Sequence, residues 1–202
     1  MIGIYGGSFD PVHFGHLQTA TSIKKELNID RLFLLPCYFP VHKETLHFTS
    51  EQRLQMLNLA IKDFSDLEID NREILRGGNS FMIDTLLDLK ESYKQESICL
   101  IIGMDSYIKF KTWKHWDKFS KLIHLVVLPR NTDQLINSTL ETFTREVDVN
   151  NLKSKLNGLL YFSNLPMIDI SSSDIRGKIA ANQNLDTLLP QSIISSIKKY
   201  ES

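Results

Sequence analysis

Ile2-Gly3-Ile4-Tyr5-Gly6-Gly7-Ser8-Phe9-Asp10-Pro11-Val12-His13-Phe14-Gly15-His16-Leu17 is the stretch on which the fold turns. Residues 2–5 are short and β-prone, Gly6-Gly7-Ser8 interrupts them, and Leu17, Ala20, Ile23 and Leu27 then recur at helical spacing. Residues 32–35 follow as a second buried strand. A strand, a helix and a strand within about 35 residues make the βαβ unit of a parallel sheet, whose right-handed crossover lays the helix on one face.

Outward from that unit the pattern repeats. Leu54, Leu57, Ile61 and Phe64 predict a helix opened by Thr49 and Gln52 in capping-box positions, and residues 67–74 read as extended. A third helix is expected over residues 80–92. Residues 98–102 and 123–128 are continuous apolar runs of strand length, as in a sheet covered by helices on both faces. The more polar residues 131–157 read as a peripheral helical excursion, and 159–162 and 167–170 as short strands ahead of helices over 172–181 and 191–200. The expectation is an α/β fold, a doubly wound parallel sheet in one domain, 1–202, with a small C-terminal helical part over 170–202.

Composition narrows the function. With 202 residues and 42% of them hydrophobic, one core suffices. A net charge of −1 gives no general attraction to a nucleic-acid backbone, so nucleic acid is not expected as a partner and phosphate chemistry must come from a local site. Residues 1–7 lack a secretion signal and the apolar runs are too short to span a bilayer, which points to the cytoplasm and away from membranes. Cys37 and Cys99 read as one loop thiol and one buried strand thiol, with no disulfide in a reducing compartment. The sequence leaves the oligomeric state open, a homo-oligomer included.

The loop between the first strand and the first helix lies at the carboxyl end of a parallel strand, where open α/β sheets bind ligands. Gly6 and Gly7 let a backbone approach an anion, and the unpaired N–H groups of a helix start favour phosphate. Neither the dinucleotide fingerprint nor the P-loop spacing is present. His13 and His16, three apart around Gly15, share one helix face and can both donate to one polyphosphate. A metal pair would need further ligands that no neighbouring Cys, Asp or Glu cluster offers.

A second anion site is read at Ile170-Ser171-Ser172-Ser173-Asp174-Ile175-Arg176. There a serine cap opens a helix and Arg176 and Lys178 follow, where the helix dipole favours acids.

The segment from Gly6 to Leu17 resembles the H-x-G-H signature of the nucleotidyltransferase superfamily, and within it the bacterial nicotinate-nucleotide adenylyltransferases. The 170–176 segment is similar to that family's I-S-S-T-x-I-R, with Ser173 for threonine. Further resemblances run in order along the chain. Pro40-Val41-His42-Lys43 matches P-P-H-K, Glu73 to Leu86 matches E-x-x-R-x-G-x-S-Y-T-x-x-T-L with Thr85 as its second threonine and Met82 in place of the first, Gly103-Met104-Asp105 matches G-x-D, and Trp113 and Trp116 match W-x-x-W.

The resemblance implies a Rossmann-like fold and the transfer of AMP from ATP to nicotinate mononucleotide, giving deamido-NAD and pyrophosphate, with Mg²⁺ arriving on ATP. It implies an ATP site of Gly6, Gly7, Ser8, Phe9, His13, His16, Gly103, Asp105, Ser172, Ser173 and Arg176, with His13, His16 and Arg176 catalytic. It implies a mononucleotide site of Lys43, Thr85, Trp113 and Arg130, with His42 beside Lys43, backbone groups near Thr85 meeting the nicotinate carboxylate and Trp113 stacking on the pyridine ring. The rivals are a sister enzyme that adenylylates phosphopantetheine or builds a cytidylyl alcohol, and a non-catalytic nucleotide sensor. Trp113, Trp116 and the Thr85 segment favour the pyridine substrate, and intact His13, His16 and Arg176 speak against the sensor.

Overall fold

The computed structural model describes residues 1–41, 45–128, 140–166 and 168–201. The first half of the chain runs β1 (Ile2–Gly7), α1 (Phe14–Glu26), β2 (Arg31–Pro36), β3 (Phe39–Pro40), α2 (Ser50–Ala60), β4 (Leu67–Ile69), α3 (Arg72–Arg76), β5 (Asn79–Ser80) and α4 (Met82–Ser92). The second half runs β6 (Ile98–Gly103), α5 (Met104–Ile108), β7 (His124–Leu128), β8 (Thr144–Glu146), α6 (Asn150–Ser154), β9 (Leu159–Phe162), α7 (Ser172–Ala180) and α8 (Gln191–Tyr200). Seven strands form one sheet in the order β4-β2-β1-β6-β7-β9-β8, every described pair parallel, and β3 and β5 pair separately. From β1 the chain winds outward through β2 and β4, then restarts on the other side of β1 with β6. The crevice between the carboxyl ends of β1 and β6 is the switch point of a doubly wound sheet.

Period-two alternation sorts the strands into two faces. Leu32, Leu34, Cys99, Ile101 and Val126 pack with Leu17, Ala20, Ile23 and Leu27 at α1, Met56 and Leu57 of α2, and Ile193 and Ile197 of α8. Ile4, Phe33, Leu35, Leu100, Ile102, Leu125 and Val127 pack instead with Ile83, Leu86 and Leu89 of α4 and with Phe110 and Phe119. Each fully buried aliphatic side chain contributes about 1.5–3 kcal/mol, so the apolar runs account for why this sheet is sandwiched between helices. At the N-terminal edge, buried His124 accepts from the Leu159 N–H through Nδ1 (3.1 Å) and donates through Nε2 to the Lys155 carbonyl (2.9 Å), tying β7 to the start of β9. Among the described residues no helix is long and apolar enough to cross a membrane.

The capping box at α2 is formed: Thr49 Oγ1 accepts from Gln52 N–H and Gln52 Oε1 from Thr49 N–H. The helix nevertheless ends at Ala60, and Ile61 enters a 3₁₀ turn over Ile61–Asp63. The stretch 67–74 is not extended throughout. Asp70 accepts from both the N–H and the Nε–H of Arg72 and turns the chain into α3. Ser80 belongs to β5 and accepts from the Tyr38 N–H at 2.9 Å, so α4 begins at Met82. The described part of 131–157 holds the edge strand β8 as well as α6. Residues 168–170 join no strand. Ile168 and Ile170 are apolar because they face the cavity described next.

Candidate active site

A cavity of about 790 Å³ opens at the switch point. Its walls are the ends of β1 (Gly6, Gly7, Ser8), β2 (Leu35, Cys37), β6 (Ile102, Gly103) and β7 (Leu128), together with the starts of α1 and α7.

His13 is the N-cap of α1, with an extended backbone, and its Nδ1 accepts the His16 N–H at 3.3 Å. Only 4% of it is exposed, and burial pushes its imidazole down to about 4, so the ring is neutral at pH 7. With Nδ1 accepting, the proton sits on Nε2, which leaves a donor for a ligand. The His16 ring stacks on His13 with centroids 3.7 Å apart and 29° between planes, and Phe9 packs its ring against His16 at 5.0 Å. A neutral His13 permits this stack whatever the charge of His16.

Glycines shape the site differently from the expected phosphate turn. Gly6 and Gly7 are the last two residues of β1, in register with Leu35 and Pro36. The left-handed residue is Phe9, at φ 48°. A Cβ on Gly7 would lie 3.1 Å from the Phe9 ring, and one on Gly15 would lie 2.9 Å from His13 Nδ1. Gly15 therefore makes room for the His13 imidazole while itself lining the cavity.

Arg176 closes the opposite wall. Its Nη1 donates to the Asp10 carbonyl at 2.7 Å and lies 3.5 Å from Asp10 Oδ2, and its Nη2 donates to Ser173 Oγ at 3.2 Å. Asp10, 2% exposed, also accepts from the N–H groups of His47 (3.0 Å) and Phe48 (2.9 Å). Ser172 Oγ donates to the Pro11 carbonyl at 3.0 Å, and Ser171 is the true cap of α7. A cation near the helix start thus has a protein anion beside it, a partner that the sequence reading assigned wholly to a ligand. The guanidinium still keeps part of its surface on the cavity.

On the third wall Trp113 lines the cavity and packs on Phe110 (5.3 Å) and Phe119 (6.1 Å), while Trp116 stands off it. Gly103 and Asp105 line the cavity at the end of β6, Gly103 as the N-cap of α5. Lys114 reaches across to sit 4.3 Å from the Phe81 ring centre and 3.7 Å from Asp84.

The cytidylyltransferase-like family matches residues 4–178. A protein of Vesicomyosocius okutanii named "Probable nicotinate-nucleotide adenylyltransferase" is 44% identical over 197 residues, 98% of this chain and 93% of its own. One of the same name from Methylococcus capsulatus is 34% identical, covering 98% of this chain and 97% of its own. This chain belongs to the nicotinate-nucleotide adenylyltransferase family. The solved structure of the Plasmodium falciparum nicotinic acid mononucleotide adenylyltransferase complexed with NaAD superposes with a TM-score of 0.73 at 20% identity, over 98% of this chain and 95% of that one, a likeness of fold.

The cavity brings together Gly6, Gly7, Ser8, His13, His16, Gly103, Asp105, Trp113, Ser172, Ser173 and Arg176 of the residues that the family's motifs pointed to. Two stand apart. The Phe9 side chain is 1% exposed and packed beneath the loop, off the cavity wall. Thr85 is fully buried, and its hydroxyl donates to Glu73 Oε1 and accepts from Arg76 Nη2, both at 2.6 Å, so it braces the wall instead of forming it. His42, Lys43 and Arg130 lie outside the described residues. Residues that the sequence reading gave no site role include Asp10, Cys37, Phe81, Lys114 and Ile170. Lys114 alone carried a local signal, as a cation between two tryptophans.

Proposed function

We infer that this cavity carries out the reaction for which the family is named: ATP and nicotinate mononucleotide give deamido-NAD and pyrophosphate, a step of NAD biosynthesis. The observation that carries the reading is the stacked His13 and His16 pair facing Arg176 and Ser173 in one cavity at the switch point. An oxygen of the mononucleotide phosphate attacks the α-phosphorus of ATP, the bond from that phosphorus to the α–β bridging oxygen breaks, and pyrophosphate leaves. The attacking oxygen is already anionic at neutral pH, so no general base is required and catalysis rests on positioning and charge neutralisation.

In this proposal His13 Nε2–H and His16 donate to the α- and β-phosphates as charge builds on the bridging oxygen, and Arg176 with Ser172 and Ser173 holds the departing pyrophosphate. Gly103 and Asp105 sit where ribose hydroxyls would be bound, and Trp113 offers a face for the pyridine ring. Lys43 and Arg130 are proposed phosphate contacts of the acceptor. The donors on the two histidine and arginine walls suit anions, so we take Mg²⁺ to enter on the phosphate oxygens of ATP. There it would neutralise part of the triphosphate charge. We place the enzyme in the cytoplasm, as a single domain able to act as a monomer or a homo-oligomer. Pyrophosphate release measured with ATP and, in turn, nicotinate mononucleotide, nicotinamide mononucleotide and phosphopantetheine tests the reading. The first acceptor is expected to give the highest kcat/KM. A higher value with phosphopantetheine would transfer the chain to the sister activity.

A further inference from the structure

Arg53 is the largest fully buried side chain among the described residues, and it sits on α2 behind the cavity wall. Its Nη1 donates to the Ser8 carbonyl at 2.7 Å and its Nη2 to the Tyr38 carbonyl at 2.9 Å, and Nη1 lies 4.0 Å from Cys37 Sγ. Its Nε has no hydrogen-bond partner, and among the described residues no carboxylate stands within 4.0 Å of the guanidinium. A guanidinium cannot shed its proton, and burying one without a counter-ion is costly. Bracing two loops alone would not require a charge.

The loops it joins are those that carry Ser8 and Cys37 onto the cavity. In a trans peptide the carbonyl and the N–H point opposite ways, so holding the Ser8 carbonyl on Arg53 sends the Phe9 N–H away from the guanidinium. No hydrogen bond from that N–H to a protein acceptor is formed among the described residues. The left-handed backbone of Phe9 allows the reversal.

We propose that Arg53 is a positioning residue for the phosphates of ATP. It is a buried counter-charge behind the β1–α1 loop that also turns the Ser8–Phe9 peptide so that its N–H, and not its carbonyl, meets the anion. Exposed Glu51 at the start of the same helix acts on Arg53 only at a distance, and the contacting counter-ion is then the substrate. This rests on the adenylyltransferase reading of the same cavity, but its test does not depend on turnover.

The full chain carrying Arg53→Met or Arg53→Lys is compared with the unsubstituted protein for equilibrium binding of ATP and of adenosine by calorimetry, with thermal melts as the check on folding. Removing the charge is expected to cut the preference for ATP over adenosine by about tenfold or more, and adenosine binding should hold. Lysine keeps the charge and loses the two-pronged grip, so its loss should be intermediate and again confined to ATP. Equal loss for both ligands, no loss for ATP, or a lysine variant as poor as methionine would overturn the proposal. If the methionine variant does not fold, the lysine variant decides alone by the same criterion of selective against equal or absent loss. Pyrophosphate release by the unsubstituted protein is read on the same preparation. Its absence would count against the reaction and leave the binding ratio to judge Arg53.

Discussion

The two ends of the cavity are held in different ways. At the end proposed to hold the triphosphate the polar groups are tied down, several of them to segments far away in sequence: Asp10 to Arg176, His47 and Phe48, and Pro11 to Ser172, while His13 is held locally by the His16 N–H. At the end proposed for the acceptor the support is thin. β3 and β5 are two residues each, Tyr38, Phe39 and Val41 are more than a third exposed, and Lys114 makes one loose ion pair. A charge-stabilising site works best when its dipoles need no rearrangement as the reaction proceeds, whereas a pocket that admits and releases substrates uses weakly held chain. On the proposed reading chemistry belongs to one end and selection to the other, and substitutions at each end should differ in kind.

The largest effect is expected at the rigid end. His16→Ala should lower kcat about a hundredfold or more, by analogy with a lost oxyanion donor, with the melting profile unchanged. Near-normal pyrophosphate release by the purified variant would remove His16 from the reaction and erase the distinction between the two ends.

The second test concerns burial at that end. Folded His13 titrates near 4 against 6.5 for the ordinary side chain, because burial disfavours its charged form. Above 6.5 both folded and unfolded chains hold it neutral and its contribution to stability is complete. As the pH falls from 6.5 to 4 the unfolded chain takes up a proton that the folded site refuses. Stability then drops by about 2 kcal/mol at pH 5 and about 3 kcal/mol by pH 4, and levels off about one pH unit lower. Urea unfolding at pH 7 and pH 5 should therefore show a steeper loss for the unsubstituted protein than for His13→Gln. His124, also lowered by burial, acts equally in both proteins and cancels. Equal losses would mean that His13 is not held in a dry wall.

The same division explains what could be read from the sequence. The βαβ start, the capping box at Thr49, the apolar strands and the His13, Gly15 and His16 cluster were legible because their determinants are local: period, cap and spacing. Asp10 as the partner of Arg176 was not, since 166 residues separate them and no periodicity links the two. The short edge strand β8 was hidden because Thr144 and Arg145 are exposed and carry no alternation. Ile168 and Ile170 misled for the opposite reason, as apolar residues that line a cavity mimic a buried strand. Thr85 kept its place in the motif but spends its hydroxyl on Glu73 and Arg76, which only the packing of α3 on α4 discloses.

The smallest expected effect lies at the loose end, where Lys114 tests whether selection is carried by a side chain at all. Its ammonium stands over the Phe81 ring on the cavity wall next to Trp113, paired with Asp84 at 3.7 Å, both side chains being more than 40% exposed. An exposed ion pair at that distance is worth well under 1 kcal/mol, so a substrate carboxylate can draw the ammonium from Asp84 at little cost. Nicotinate mononucleotide has that carboxylate and nicotinamide mononucleotide does not. Lys114→Ala should reduce the ratio of kcat/KM for the two acceptors by about threefold, mostly through KM for the nicotinate form, while KM for ATP stays fixed. An unchanged ratio would hand the discrimination to backbone N–H groups near Thr85, and a changed KM for ATP would show that the two ends of the cavity are mechanically joined.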